Sequence, residues 1–247
     1  MQIHYMSDLH LEHRKAQIEM PSGEILVLAG DVRWEESWPL SKAEYVPLYL
    51  QENQTLSPDA SQAADEVVFD GASGQTEFEF VFDQDTEVTG YAKLKVWIEA
   101  RGASGSDTPP DDLVLCCFVD KRDRSGGSVR FNGAVGQAED MVTRGYGRAA
   151  RRALNTAESR PWHPVLTGDK HEPIKPGETV PLEIAFCPSS TFFTKGERLR
   201  LIISAKDIVH APIFKKDTSV NRGRHVIHFG KDYDSHLLLP TIPTGNR

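Results

Sequence analysis

Hydrophobic and polar positions alternate in many short runs along this chain, and that alternation sets the expected architecture. In Glu77-Phe78-Glu79-Phe80-Val81-Phe82 the aromatics 78, 80 and 82 fall on one face. In Arg198-Leu199-Arg200-Leu201-Ile202-Ile203 the residues Leu199, Leu201 and Ile203 do the same. A period of two marks a half-buried strand, so strands are predicted over 77–83 and 198–204. Further strands are predicted over 44–50, 93–99, 113–119, 129–131, 180–186, 224–229 and 236–239. Turn residues separate these runs, as in Lys175-Pro176-Gly177-Glu178 and Thr194-Lys195-Gly196-Glu197. The Ala- and Arg-rich stretch 145–156 is the place for one short helix. Many strands with few helices predict a mainly β fold, a sandwich or jelly roll.

The first 32 residues have a different character. Residues 2–6 form one apolar-containing run, and Glu24-Ile25-Leu26-Val27-Leu28-Ala29 is short, continuous and apolar, as a buried parallel strand is. The stretch 12–19 between them suits a brief helix that Pro21-Ser22-Gly23 would end. The expected organisation is a βαβ-like appendage over residues 1–32 and a jelly-roll β-sandwich, galactose-binding-like, over 33–247. An appendage of that size cannot bury a core of its own, so it is expected to pack on the sandwich or on another subunit.

Composition narrows the function. A formal net charge of -8 argues against nucleic acid and anionic membranes as partners. No apolar run approaches the ~18 residues of a spanning helix, and the N-terminus does not read as a signal peptide. Three scattered cysteines, Cys116, Cys117 and Cys187, read as thiols of a reducing compartment, so a cytoplasmic location is expected. Neighbours on a strand point to opposite faces, so Cys116 and Cys117 are not expected to pair.

Several segments in order resemble the C-terminal domain of X-Pro dipeptidyl peptidases and cocaine-esterase-like serine hydrolases. They are 34–40 with Tyr49-Leu50, then 82–90, 141–146 with 151–154, 175–178, 196–201, and 233–240. In that family the jelly roll is an accessory packed on an α/β-hydrolase domain, and the catalytic serine, acid and histidine lie in the hydrolase domain. No G-x-S-x-G nucleophile elbow occurs in this sequence; Gly102-Ala103-Ser104-Gly105-Ser106 has Ser where the last Gly belongs. The resemblance therefore implies a hydrolase-derived module without peptidase chemistry, with no catalytic residue and no cofactor. A hydrolase-domain partner or self-association is expected, and a sugar or other small ligand is not named by any residue.

Ser7-Asp8-Leu9-His10 and Leu28-Ala29-Gly30-Asp31 resemble the opening of calcineurin-like metallophosphoesterases. Asp and His two apart after one strand end, with a second Asp at the next, suit a divalent metal. The resemblance implies Asp8 and His10 as ligands of a first ion (Mn, Fe or Zn) and Asp31 as a bridging ligand. That family's Gly-Asn-His and Gly-His-x-His motifs do not occur downstream, so weak binding of one ion is the expectation. The join of the two resemblances reads as a fusion or chimera. Two alternative functions follow: a metal-dependent phosphoesterase using Asp8, His10 and Asp31, and a weak esterase or peptidase.

Other polar clusters have plainer readings. Arg144, Arg148, Arg151 and Arg152 read as solvated positions rather than a phosphate site, and His163 and His171 as loop residues. His225 and His228 fall on opposite faces of one strand, which disfavours a shared metal. Cys187 reads as a strand-end thiol.

Overall fold

The computed structural model describes the backbone of residues 3–7 and 25–29 and, in full, residues 40–104, 108–133, 139–208 and 216–242. The chain divides into two compact units, Met1–Ser41 and Lys42–Arg247. In the first, β1 (Ile3–Ser7) and β2 (Ile25–Ala29) pair in parallel with Ser7 opposite Ala29. The parallel arrangement is the one the continuous apolar run of β2 predicted.

The second unit is built from strands. In chain order they are β3 (Glu44–Gln51), β4 (Thr55–Ser57), β5 (Asp65–Asp70), β6 (Gln75–Val81), β7 (Thr86–Gly90), β8 (Lys93–Arg101), β9 (Val114–Arg122) and β10 (Ser128–Val129). They continue with β11 (Phe131–Asn132), β12 (Glu139–Asp140), β13 (Thr143–Arg148), β14 (Val180–Ala185), β15 (Ser189–Phe193), β16 (Arg198–Ser204), β17 (Arg224–Phe229) and β18 (His236–Ile242). One layer runs β13–β9–β16–β6, antiparallel throughout. The other runs β5–β17–β8–β14, also antiparallel. Beyond β17, β18 takes over the same side of β8 and carries β3 and β7, with β15 outside β7. A single parallel pair, Thr55 with Glu79, joins β4 to β6 and links the layers into one connected sheet.

Period-two patterning places the core between the layers. Leu94, Val96, Ile98 and Ala100 of β8 face Leu115, Cys117 and Val119 of β9 and Leu199, Leu201 and Ile203 of β16 within one buried cluster. Fully burying each large aliphatic side chain stabilises the fold by about 1.5–3 kcal/mol. The chain is thus a mainly β sandwich, as the alternation predicts. No helix among the described residues is long and apolar enough to cross a membrane.

Two expectations need correction. The end of β16 is not half-buried: Ile202 joins Val114, Cys116 and Phe118 of β9 in a second cluster on the outer face, covered by Met141, Tyr146, Ile208 and Val220. The short helix expected in 145–156 is instead the end of β13 followed by one 3-10 turn, Ala149–Arg151. Gly145 and Gly147 explain the strand. A Cβ on Gly145 would come within 2.6 Å of the Ala185 carbonyl oxygen, and one on Gly147 within 2.6 Å of Ile184. β13 lies so close to β14 that only glycine fits there.

Candidate functional site

The outer face of the β5–β17–β8 layer gathers a cluster of charged and aromatic side chains whose carboxylate and imidazole donors converge. Register puts His228 of β17 opposite Glu66 of β5 on one side and Trp97 of β8 on the other. Alternation along β8 then points Lys95, Trp97, Glu99 and Arg101 outward, because Leu94, Val96, Ile98 and Ala100 are buried. Arg101 reaches across β17: its guanidinium donates to Glu66 at 2.6 and 2.8 Å and to Glu99 at 2.9 and 2.8 Å. His228 completes the group, with Nε2 2.9 Å from Glu99 and Nδ1 3.5 Å from Glu66. The Arg101 hydrogen bonds hold both carboxyls below the usual glutamate range, overcoming partial burial that acts the other way.

An aromatic patch continues from this cluster. The Trp97 indole N–H donates to Asp234 at 2.8 Å, and Lys95 donates to the same carboxylate at 2.7 Å. Burial raises the Asp234 pKa, but these two bonds outweigh it and leave the group below its ordinary value. Tyr233 lies edge-on to Trp97 at 5.6 Å and tilted against His228 at 5.1 Å. His236 stands 5.4 Å from Tyr49, its pKa lowered by burial.

Glu66, Glu99 and His228 bring donor atoms within 4.8 Å of one another, a set compatible with a divalent ion. The Arg101 fork already occupies both carboxylates and supplies their positive charge, so the donor set is closed as an ion-pair network. A metal would have to displace that guanidinium. Each histidine with defined surroundings is held by a neighbour. His163 contacts Tyr91, His225 packs on Phe69, His228 bonds Glu99, and Nδ1 of His236 lies 2.6 Å from the Asp234 backbone oxygen. Burial pushes the Cys116 thiol up to about 12 and the Cys117 thiol well above its ordinary value, which disfavours the thiolate form of both.

The sequence-derived metal residues Asp8, His10 and Asp31 lie outside the described residues. In sequence, Asp8 directly follows β1 and Asp31 follows β2 by two residues, and β1 and β2 themselves pair in parallel. The arginines 144, 148, 151 and 152 are engaged in holding loops. Arg144 pairs with Asp140 at 3.2 Å and Arg148 with Asp112 at 2.6 Å. Arg151 bonds the Lys170 carbonyl, and Arg152 the Ala149 and Glu172 carbonyls. His225 and His228 do occupy opposite faces of β17, the first buried and the second outward. Cys187 is exposed just beyond β14. Cys116 and Cys117 are both free, in separate apolar clusters.

Sequence reasoning did not find the Glu66–Glu99–Arg101–His228 cluster. Its members lie on three strands, with 35 and 129 residues between bonded partners, so no local motif marks them.

The fold is shared with known proteins. Residues 16–238 match the X-Pro dipeptidyl-peptidase C-terminal non-catalytic domain. The match spans most of the sequence, and the chain belongs to that family. Among solved structures it is similar to the CocE/NonD family hydrolase from Staphylococcus aureus, at 30% identity and a TM-score of 0.79, covering 88% of this chain and 41% of that one. An aminopeptidase from the marine sediment archaeon Thaumarchaeota archaeon shares the fold at 14% identity and a TM-score of 0.57, covering 90% and 42%. An α-amino acid ester hydrolase does so at 14% identity and 0.51, covering 79% and 36%. The chain thus spans less than half the length of each of these solved chains. No curated protein matched it.

Proposed function

We propose that this chain is an accessory module that packs against a hydrolase catalytic domain of the X-Pro dipeptidyl-peptidase or CocE/NonD type, and that it does not itself cleave peptides or esters. The carrying observation is the match of residues 16–238 to a non-catalytic domain, within a chain covering 41% of a CocE/NonD hydrolase. The half-buried rings of Trp97, Tyr233 and Tyr49 on the outer face suit a protein surface, since aromatic residues are enriched at interface cores. Free thiols at Cys116, Cys117 and Cys187 support a reducing compartment, the cytoplasm. Size-exclusion chromatography of the chain, alone and with a CocE/NonD catalytic domain, tests the reading. A mixed complex, or a dimer of the chain through the same face, is the expected result. A chain that stays monomeric and binds no catalytic domain contradicts it.

A second reading has one observation in its favour. The parallel β1–β2 pair presents two adjacent strand ends, after which Asp8, His10 and Asp31 follow in sequence. That order suits a divalent ion, held as in the metallophosphoesterase-like fragment of a fusion, and an ion there would supply Lewis-acid activation of a phosphoester. Hydrolysis of a chromogenic phosphodiester with added manganese, lost in Asp8→Ala, would establish this reading. Equal rates in the two proteins would remove it.

A further inference from the structure

His225 is fully buried, and neither ring nitrogen has a hydrogen-bond partner. Its ring meets Phe69 of β5 edge-on at 5.5 Å. In register it stands between Phe69 of β5 and Ala100 of β8. The charge that reaches it comes from β5 as well, from the Asp70 carboxylate. Asp70 caps the Gly71–Gly74 turn by accepting from the Ala72 and Ser73 amides and the Ser73 hydroxyl. Those bonds, led by the Ser73 hydroxyl, keep it ionised below the usual aspartate range.

Among the described residues β5 is an edge strand, paired with β17 alone. Its remaining attachments are few. Phe69 is its buried inward anchor, with Val67 packed beside it against the core, and Glu66 is tied over the outer face to Arg101 and His228. Backbone bonds fix the flanks, from the Lys231 amide to the Ser61 carbonyl and from the Gly71 amide to the Gly223 carbonyl. The inward anchor thus rests on an imidazole that the fold tolerates only as a neutral ring, because a charged one would have no acceptor there.

We propose that β5 is an acid-released flap: protonation of His225 expels its ring from the core, unseats Phe69 and opens β5 from β17 while the rest of the sandwich stays folded. The outer Glu66–Arg101 tie is not the trigger, since the Arg101 hydrogen bonds favour the ionised form of both glutamates and so oppose their protonation. It sets instead how firmly the strand sits at neutral pH. Burial lowers the His225 pKa to about 4, which places the opening in that range.

Hydrogen exchange of the full chain, corrected for intrinsic rates, tests this at neutral pH and near pH 4. The account expects at least about a tenfold loss of protection in residues 65–70 on acidification, with β9 and β16 still protected. His225→Leu should abolish the acid response of 65–70. His225→Phe, which keeps an aromatic edge beside Phe69, should do the same if the leucine variant folds poorly. Glu66→Gln should lower protection at neutral pH yet leave the acid response in place. Loss of protection in β9 and β16 in step with β5, or an acid response that survives in both His225 variants, overturns the proposal.

Discussion

Two ion networks sit on the two outer faces of this sandwich, and they differ in what surrounds the carboxylate. On the β9–β16–β6 layer, Asp120 has a fully buried side chain, and Arg200 meets it at 2.8 Å while only 12% exposed. Arg122 and Arg130 approach the same carboxylate at 3.4 Å, and Arg200 also pairs with Glu77 at 2.7 Å. On the β5–β17–β8 layer, Glu66 and Arg101 are each 38% exposed, although their geometry is as good. Distance alone would rank the two alike. Desolvation separates them: a buried carboxylate cannot be replaced by water, whereas an exposed one can.

The sharpest way to break this comparison is Asp120→Asn. The substitution keeps the shape but leaves three arginines facing a neutral group, and it should cost about 3–5 kcal/mol. Thermal or urea unfolding would measure it, and a loss below about 1 kcal/mol would mean that water reaches the network.

Next in size is the acid response of His225, which lies behind the second network on the same strand. Its folded pKa is about 4 against 6.5 for the free ring. Above 6.5 both folded and unfolded chains carry a neutral ring, and this group makes stability independent of pH. As pH falls from 6.5 to about 4, the unfolded chain binds a proton that the folded chain refuses, so stability declines. The full loss is roughly 3 kcal/mol. Denaturant titrations across that window should show it in the native sequence and a flatter profile in His225→Leu.

The smallest effect belongs to the exposed network. Glu66→Gln should destabilise the global fold by no more than about 1 kcal/mol. That difference should shrink further in about 1 M salt, where screening is strong. A cost comparable to that of Asp120→Asn would erase the distinction between the two faces.

The layered β architecture was legible because its strands advertise themselves. Arg198–Ser204 and Arg224–Phe229 have the limits that alternation and turn residues predict, and Lys93–Arg101 extends the expected 93–99 by two residues. β13 was not legible, because Gly145 and Gly147 carry no apolar signal and the neighbouring arginines and alanines suit a helix. Its strand state is imposed from outside, by the close approach of Ile184 and Ala185. The edge strands β5 and β15 were missed for a related reason. The first is bounded by Asp65, Glu66 and Asp70, and the second begins with two serines, so neither reads as an apolar run. The polar cluster on the outer face was hidden more deeply, since pairing in three dimensions, not spacing in sequence, brings Glu66, Glu99, Arg101 and His228 together.

The family match makes the absence of peptidase or esterase turnover the central functional claim. The direct measurement is hydrolysis of X-Pro anilides and short acyl esters by the purified chain, with and without a serine-directed phosphonate. The account predicts no turnover above buffer and no phosphonate labelling. Turnover that the phosphonate abolishes in proportion to labelling would contradict it and would place a nucleophile within this chain.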